Sequence, residues 1–511
     1  MLPSAPWPTT SLTWHDYAVV LSLLALLLLV GLWTGRREES AAEFFLGDRR
    51  IPWWAAGLSF VATEISAVTL ISVPAIAFLE NWEYVQFFCG SFLARLVIAA
   101  LFIPAFYRLQ CTSIYEFLGQ RFGPATQITG SLLFFLTRLL ASGVRLLVAA
   151  LAVSVLLGCP LVVSLALFTG ISILYIAWGG IKAVVWTNVL QAVVFTAAGL
   201  AAIAFLLNQI EGGADTVLAV AGGAGKMRIF NWGPNPGSVG WGAFFWRLAS
   251  DPNLFILATL NGFFGSMAAF GTDQESMQRL LTVETRQKSQ KTMLLTPLGS
   301  GLVMVIFLFL GSCLYTFYQQ HPELALPTQG DTIFPHFIAR QMSAGLRGLM
   351  LAAVIMASID SPLGSLTTSF VTDIYRPVFH SRGSERHYVW IARLAVIFFG
   401  LCLAVIAYAC SFGEKFLWLA FKIGGVTYGS LLGVFLLGLL TNRGGNRLNA
   451  LAMILAALLM LILLILMEKQ IIPLGWTWLL LLGTLITFGL GWLGGTTPRR
   501  ELPAKPPTSA A

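Results

Sequence analysis

Charge is scarce in this chain: only 11% of its 511 residues are Asp, Glu, Lys or Arg, against about 25% in ordinary soluble domains. Hydrophobic residues reach 57% and mean hydropathy is +0.80. That balance excludes a soluble domain on a single anchor and implies a polytopic membrane protein. Paired cysteines are absent as well. Cys89, Cys111, Cys159, Cys313, Cys402 and Cys410 lie singly in apolar runs or at their edges, with no CxxC and no histidine at ligand spacing. They argue against a metal site and leave the redox compartment unmarked. His15, His321, His336, His380 and His387 fall in loops or at the ends of apolar runs, none beside a nucleophile or acid in a recognisable motif. No catalytic constellation emerges, so the sequence does not read as an enzyme. The fragment GGAGKM around Lys226 has neither the spacing nor the following Ser/Thr of a phosphate loop.

What the chain has in abundance is apolar runs near the ~20 residues that a spanning helix needs. About 13 are counted, at roughly 14–34, 53–79, 84–107, 126–157, 161–178, 183–208, 246–271, 292–318, 335–374, 388–411, 414–440, 448–468 and 474–494. The fold class expected is therefore all-α. The first run lacks the basic start and small-residue cleavage site of a signal peptide and is kept as a span. Lys and Arg fall in alternate connections: Arg36, Arg37, Arg49 and Arg50; Arg108 and Arg121; Lys182; Arg279 to Lys291; Arg376 to Arg386; Arg443 and Arg447; Arg499 to Lys505. By the positive-inside rule these connections are cytoplasmic. Residues 1–13 are then outside and 496–511 form a polar, Pro-rich cytoplasmic tail, with one membrane domain over 14–495. The net charge of +8 is accounted for by this asymmetry and implies a lipid bilayer rather than nucleic acid as partner.

Polar residues inside such runs are functional candidates by default. In the second run Glu64 stands near mid-membrane among Thr63, Ser66 and Thr69, and Pro74 removes the helical donor of the Leu70 carbonyl, so a break is expected there. The ninth run reads ASIDSPLGSLTTSFVTDIY over 357–375. At about 100° per residue, Ser358, Ser361, Ser365, Thr368 and Thr372 share a stripe within about 80° of arc. Ala357, Asp360 and Gly364 form the adjoining stripe, and Pro362 frees the Ser358 carbonyl. Hydroxyls at helical spacing also serve as a packing face. Asp360 and the proline favour a hard-cation site. Thr187, Asn188 and Gln191 in the sixth run read more readily as interhelical glue than as a site. Asp273 and Arg279, near the cytoplasmic end of the seventh, read as an interfacial ion pair or a gate.

In order along the chain, ATEISAVTLISVP, TSIYEFLGQRFG, GGIKAVVWTNVLQ, GTDQESMQR, SIDSPLGSLTTSFVTDIY and GSLLGVFLLGLL resemble motifs of the sodium/solute symporter family, and the likeness extends over residues 14 to 495. That resemblance implies a five-plus-five inverted-repeat core. Repeat one covers about 53–208 and repeat two about 246–440, with one helix before (14–34) and two after (448–494). It implies no cofactor, Na+ as coupling ion, a small organic solute, no obligate protein partner and the cytoplasmic (inner) membrane. Carried over by position, sodium takes the carbonyls of Ala62, Ile65 and Val354 and hydroxyls at 357 and 358. Ala357 lacks the first of these, leaving Ser358.

Where some family members bind a further cation through an Asp in the sixth helix, this chain has Asn188, while Asp360 stands among the matching ninth-helix serines. A second cation or proton site of Asn188, Asp360 and Ser361 is the resulting hypothesis. The resemblance places the solute among Glu64, Ser66, Thr69, Gln86, Phe87, Ser266 and Tyr428. Thr69 and Ala269 stand where sugar-transporting members carry Gln and a gating Tyr, which disfavours hexoses. The reading is a sodium-coupled importer working by alternating access. Its rivals are a proton-driven transporter using Glu64 and Asp360, and a transporter-like membrane sensor.

Overall fold

The apolar runs fold as helices throughout the computed structural model, which describes residues 12–35, 40–157, 159–233, 240–251, 253–327, 332–357, 362–412, 414–444, 447–472 and 474–495. In chain order the helices are α1 (Trp14–Thr34), α2 (Ala41–Leu46), α3 (Trp53–Glu64), α4 (Ala67–Leu79), α5 (Glu83–Arg108), α6 (Tyr115–Phe122), α7 (Pro124–Leu157), α8 (Leu161–Gln209), α9 (Gly213–Gly223) and α10 (Trp241–Ser250). There follow α11 (Phe255–Gly271), α12 (Gln274–Leu281), α13 (Arg286–Gln320), α14 (Ile333–Gln341), α15 (Leu346–Met356), α16 (Pro362–Ser369), α17 (Glu385–Cys410), α18 (Glu414–Leu440), α19 (Arg447–Glu468) and α20 (Trp478–Gly494). Among the described residues β pairing is confined to one isolated parallel bridge, Ile51 with Val283. The protein is an all-α, multi-pass membrane protein. Among the described residues seven helices are long and apolar enough to span a membrane, or nine if each of two bent pairs forms one span.

Those two pairs organise the molecule. Trp53–Glu64 and Thr69–Leu79 meet at 59°, and Phe255–Gly271 and Gln274–Leu281 at 62°. Pro74 is not the cause of the first bend, contrary to the sequence expectation. It lies inside α4, and the break falls earlier, at Ile65 and Ser66. The Ser66 N–H turns to Thr69 Oγ1 at 3.4 Å, and helical bonding resumes with the Leu70 N–H on the Ser66 carbonyl at 3.1 Å. A residue that caps the next helix ends the previous one. Beside Pro74, Gly311 of α13 lies so close that an added Cβ would sit 2.3 Å from the Pro74 carbonyl oxygen. Tight packing holds α4 on course past the proline.

The 49-residue α8 contains one non-helical residue, Gly180, at φ 46° and ψ −142°. This positive φ strains any residue with a Cβ, so the glycine in GGIK divides α8 where the sixth span was expected to begin. The long connection after α8 is not bare loop: it carries α9 and lies over the start of α5. Arg228 there pairs with Glu83, and the Trp82 N–H donates to the Arg228 carbonyl at 3.1 Å. The seventh span begins later than expected, at Phe255, because α10 forms a separate helix before it.

The first helix is fastened by a buried carboxylate. Asp16 of α1 pairs with Arg347 at 2.8 Å and accepts the backbone N–H groups of Gly345 and Gly348 at 2.9 and 3.0 Å, at the start of α15. The far end of α12 lies beside the start of α3, where the Ile51 N–H reaches the Thr282 carbonyl at 3.2 Å. The first half of one broken span thus begins where the second half of the other ends.

Candidate functional site

Between the two breaks lies a cavity of about 400 Å³, lined on the second span by Thr63, Glu64, Ile65 and Thr69 and on the seventh by Ser266, Ala269 and Phe270. Phe87, Ser91, Arg138, Arg145, Ser300 and Tyr428 complete much of its wall. That volume fits a small organic molecule. Of the residues expected to face solute, Glu64, Thr69, Phe87, Ser266 and Tyr428 line this cavity. Two do not. Gln86 is fully buried and fastens the outer loop: its amide donates to the carbonyls of Glu83 and Asn253 at 3.0 and 3.1 Å and accepts from the Asn231 N–H at 2.9 Å. Ser66 faces a second, smaller cavity.

Glu64 ends α3 and is held, not free. One guanidinium nitrogen of Arg95 lies 2.7 Å from both its carboxylate oxygens, and Ser300 Oγ donates to it too. Arg95 also donates to Thr296 Oγ1 at 3.0 Å and sits over the Phe270 ring at 4.7 Å. A partly buried carboxylate with an arginine and a hydroxyl on it is charge-balanced. It fixes α3 to α5 and α13 while presenting one edge to the cavity.

The smaller cavity, about 40 Å³, brings the second-span break against the ninth span: Ser66 and Ala67 face Ala357, Pro362 and Leu363, with Ser142, Arg145, Thr169 and Ser172 around them. It has room for a water-sized guest. Ala62 and Ile65 lie at the C-terminal end of α3, and Val354 and Ala357 at that of α15. Helix C-termini carry the negative end of the dipole and point carbonyls outward, a setting that favours a cation. Ser358, Asp360 and Ser361 lie outside the described residues.

Asn188 does not stand in an empty pocket. With its amide turned so that oxygen meets donors, it accepts from Ser59 Oγ and Arg279 Nη2 and donates to Gln191 Oε1, each at 3.2 Å. A fixed guanidinium at that distance repels a second positive charge, so Asn188 is a poor cation ligand and acts as the interhelical link its residue type suggested. Thr368, from the expected hydroxyl stripe, likewise serves packing: it accepts from Gln278 Nε2 and donates to the Gly364 carbonyl, both at 2.8 Å.

The seventh-span break holds a buried network of charge. Asp273 is fully buried and caps α12 by accepting the Glu275 N–H at 2.9 Å. Its partner is Arg138 of α7 rather than Arg279, and Arg138 also lies 2.6 Å from Glu275. Arg279 instead contacts Glu275 and donates to Ser59 Oγ at 3.1 Å. Tyr428 of α18 donates to Asp273 at 2.9 Å, and the Tyr115 hydroxyl to the Thr272 carbonyl at 3.0 Å. Arg95, Arg138 and Arg145 went unnoticed in the sequence. Each is a charge within an apolar run, the same signal that singled out Glu64.

The family model described as Sodium:solute symporter family matches residues 44–456. The sodium/sialic acid symporter SiaT of Proteus mirabilis (strain HI4320) is 29% identical over 439 residues, covering 84% of this chain and 85% of that one. The sodium/sialic acid symporter NanT of Aliivibrio fischeri (strain ATCC 700601 / ES114) is 30% identical over 442 residues, covering 84% and 83%. A solved structure of a Na+-coupled sialic acid symporter, in a substrate-bound outward-open state, superposes with a TM-score of 0.82 at 25% identity, covering 94% of this chain and 97% of the other. The chain belongs to the sodium:solute symporter family, whose members are transporters rather than enzymes, and it moves a small solute with Na+ by alternating access.

Proposed function

We propose that the solute is a small organic acid, imported across the cytoplasmic membrane with sodium bound at the second-span break. The observation that carries this reading is the charge on the cavity wall. Arg145 lines it together with Arg138, whose terminal nitrogens lie on Asp273 and Glu275, and the one carboxylate among the lining residues, Glu64, is already taken by Arg95. Electropositive walls of low dielectric favour an anionic guest. The sialic acid carried by the relatives is itself a carboxylate, which agrees.

The sodium ligands in this reading are the carbonyls of Ala62, Ile65 and Val354 with Ser358, and Ala357 supplies at most its backbone. Asp360 assists from the neighbouring stripe; Asn188 is set aside because of Arg279. Proton coupling through Glu64 is disfavoured by its pairing with Arg95. Thirteen spans follow when α8 is divided at Gly180, each bent pair counts once, and the shorter apolar helices Leu346–Met356, Gly424–Leu440 and Trp478–Gly494 are admitted. In this topology α3 to α8 form repeat one and α11 to α18 repeat two, with the N-terminus outside and the C-terminus in the cytoplasm. Paired breaks at mid-membrane are the expected mark of such repeats.

The test is uptake into proteoliposomes of radiolabelled N-acetylneuraminate and lactate, with glucose as neutral control, under an inward sodium or potassium gradient. The expected result is accumulation of an acid with sodium only. Uptake of glucose alone, or equal uptake with potassium or with a proton gradient, would contradict it.

A further inference from the structure

Among the described residues five carboxylates are buried: Asp16, Glu83, Asp273, Glu275 and Asp373. The first four each meet an arginine, Arg347, Arg228 or Arg138. Asp373 meets none, although it is fully buried in the wide helical turns Phe370–Phe379 that continue α16. Its partners are three hydroxyls and an amide. Ser113, Ser131 and Ser369 donate to Oδ2 at 2.6, 2.9 and 2.6 Å, and Gln127 Nε2 donates to Oδ1 at 2.9 Å. All four are neutral donors, so a negative charge buried among them has no counter-charge.

The charged and titratable groups on the surrounding elements are engaged elsewhere. On α6, Tyr115 donates to the Thr272 carbonyl, Glu116 accepts the Thr112 N–H, and Arg121 holds the carbonyls of Gly438 and Thr441. On α7, Arg138 is taken by Asp273 and Glu275. On α17, Glu385 accepts the Ala41 N–H and His387 meets the Tyr375 hydroxyl, while Arg376, one turn beyond Asp373, covers the Tyr388 ring. Solvent is close all the same: Gln127 is half-buried and Arg376 exposed. The segment that Asp373 holds is fastened on its other side to the seventh span. The Ile114 N–H donates to Gln274 Oε1 at 2.9 Å, and Gln274 Nε2 donates to the Thr112 carbonyl at 3.1 Å. TSIYE, which lines neither cavity, thus joins α12 to the ninth span.

We propose that Asp373 is a regulatory proton site: ionised, it clasps the segment before α6 and the start of α7 to the ninth span, and protonated, it lets them go. The carboxylate takes one proton from water at that end of the span, cytoplasmic in the proposed topology, and becomes a neutral carboxyl. With the proton on Oδ2, three hydroxyls can no longer all donate to that atom; with it on Oδ1, the Gln127 amide is displaced. In either case the charge that strengthened these bonds is gone. The segment is then left attached to α12. Acid on that side loosens the anchorage of the seventh span's second half without touching solute or sodium.

The test uses the purified full chain in sodium without solute, with Cys89, Cys159, Cys313, Cys402 and Cys410 replaced by serine. The native Cys111 is kept: it is fully buried and directly precedes Thr112, so a thiol reagent reaches it only when the segment is released. Labelling rates of Asp373→Asn and of this parent are compared at the same pH, which cancels the pH dependence of the thiol itself. At about pH 8 the variant should label about tenfold faster, and at about pH 5.5 the ratio should fall to about one. Ser131→Ala, which removes a donor and no charge, should follow the same course at about threefold, and it carries the test if Asp373→Asn does not fold. A ratio equal at both pH values would overturn the proton site. Held at one, it would make Asp373 irrelevant to the segment; held high, it would make Asp373 a hydrogen-bonding group whose charge never changes.

Discussion

The two breaks have the same bend and opposite dress. At the second span, Ser66 and Thr69 cap the new helix with neutral groups, and the adjoining small cavity is edged by the hydroxyl-bearing Ser142, Thr169 and Ser172, with Arg145 the one charged residue of its lining. At the seventh, Asp273, Glu275, Arg138 and Arg279 interlock, all nine-tenths buried or more. Neutral oxygens and helix C-termini can take up and release a cation at little cost. A dehydrated charge network exchanges partners only when another charge arrives. The contrast supports the proposal that the ion binds at the first break, while the second is held by buried charge pairs.

Removing one member of the network carries the largest expected effect. Asp273→Ala leaves buried arginine under-compensated and should lower stability by about 3–5 kcal/mol, read as a fall in thermal midpoint in detergent. A midpoint unchanged within error would show that the network is solvated. Next is Gly180→Ala, where a Cβ at φ 46° costs about 1–2 kcal/mol; the same thermal assay should place it below Asp273→Ala and above any cap variant. Thr69→Ala removes the cap at the other break and should cost about 1 kcal/mol while weakening sodium binding. If it destabilised as strongly as Asp273→Ala, the two breaks would not differ as described. Ala357→Ser is the mildest change. It restores a hydroxyl beside the small cavity and should tighten sodium binding a fewfold without shifting the thermal midpoint.

Much of this was legible in the sequence, and the limits have physical reasons. The apolar runs gave helices in nearly the expected places, and the one non-helical residue of α8, Gly180 of GGIK, falls between the two runs expected there, 161–178 and 183–208. Of the seven residues that the resemblance places around the solute, Glu64, Thr69, Phe87, Ser266 and Tyr428 line one cavity. Pro74 misled because a proline signals a possible break, whereas the actual one is set by a Ser66 to Thr69 cap whose strength depends on local backbone. Gln86 misled because position along a helix does not reveal that its amide is claimed by a loop more than a hundred residues away. Asp273 and Arg279 sit close in sequence, yet Asp273 takes its arginine from α7, a choice only tertiary packing makes.

The most direct test of the contrast is equilibrium binding of radioactive sodium to the purified protein, its Ala357→Ser variant and its Asp273→Asn variant, at a temperature where all remain folded. The account requires saturable binding displaced by sodium and not by potassium, tightened by Ala357→Ser and retained in Asp273→Asn. Binding lost in Asp273→Asn and indifferent to Ala357→Ser would put the ion at the seventh-span break and contradict it.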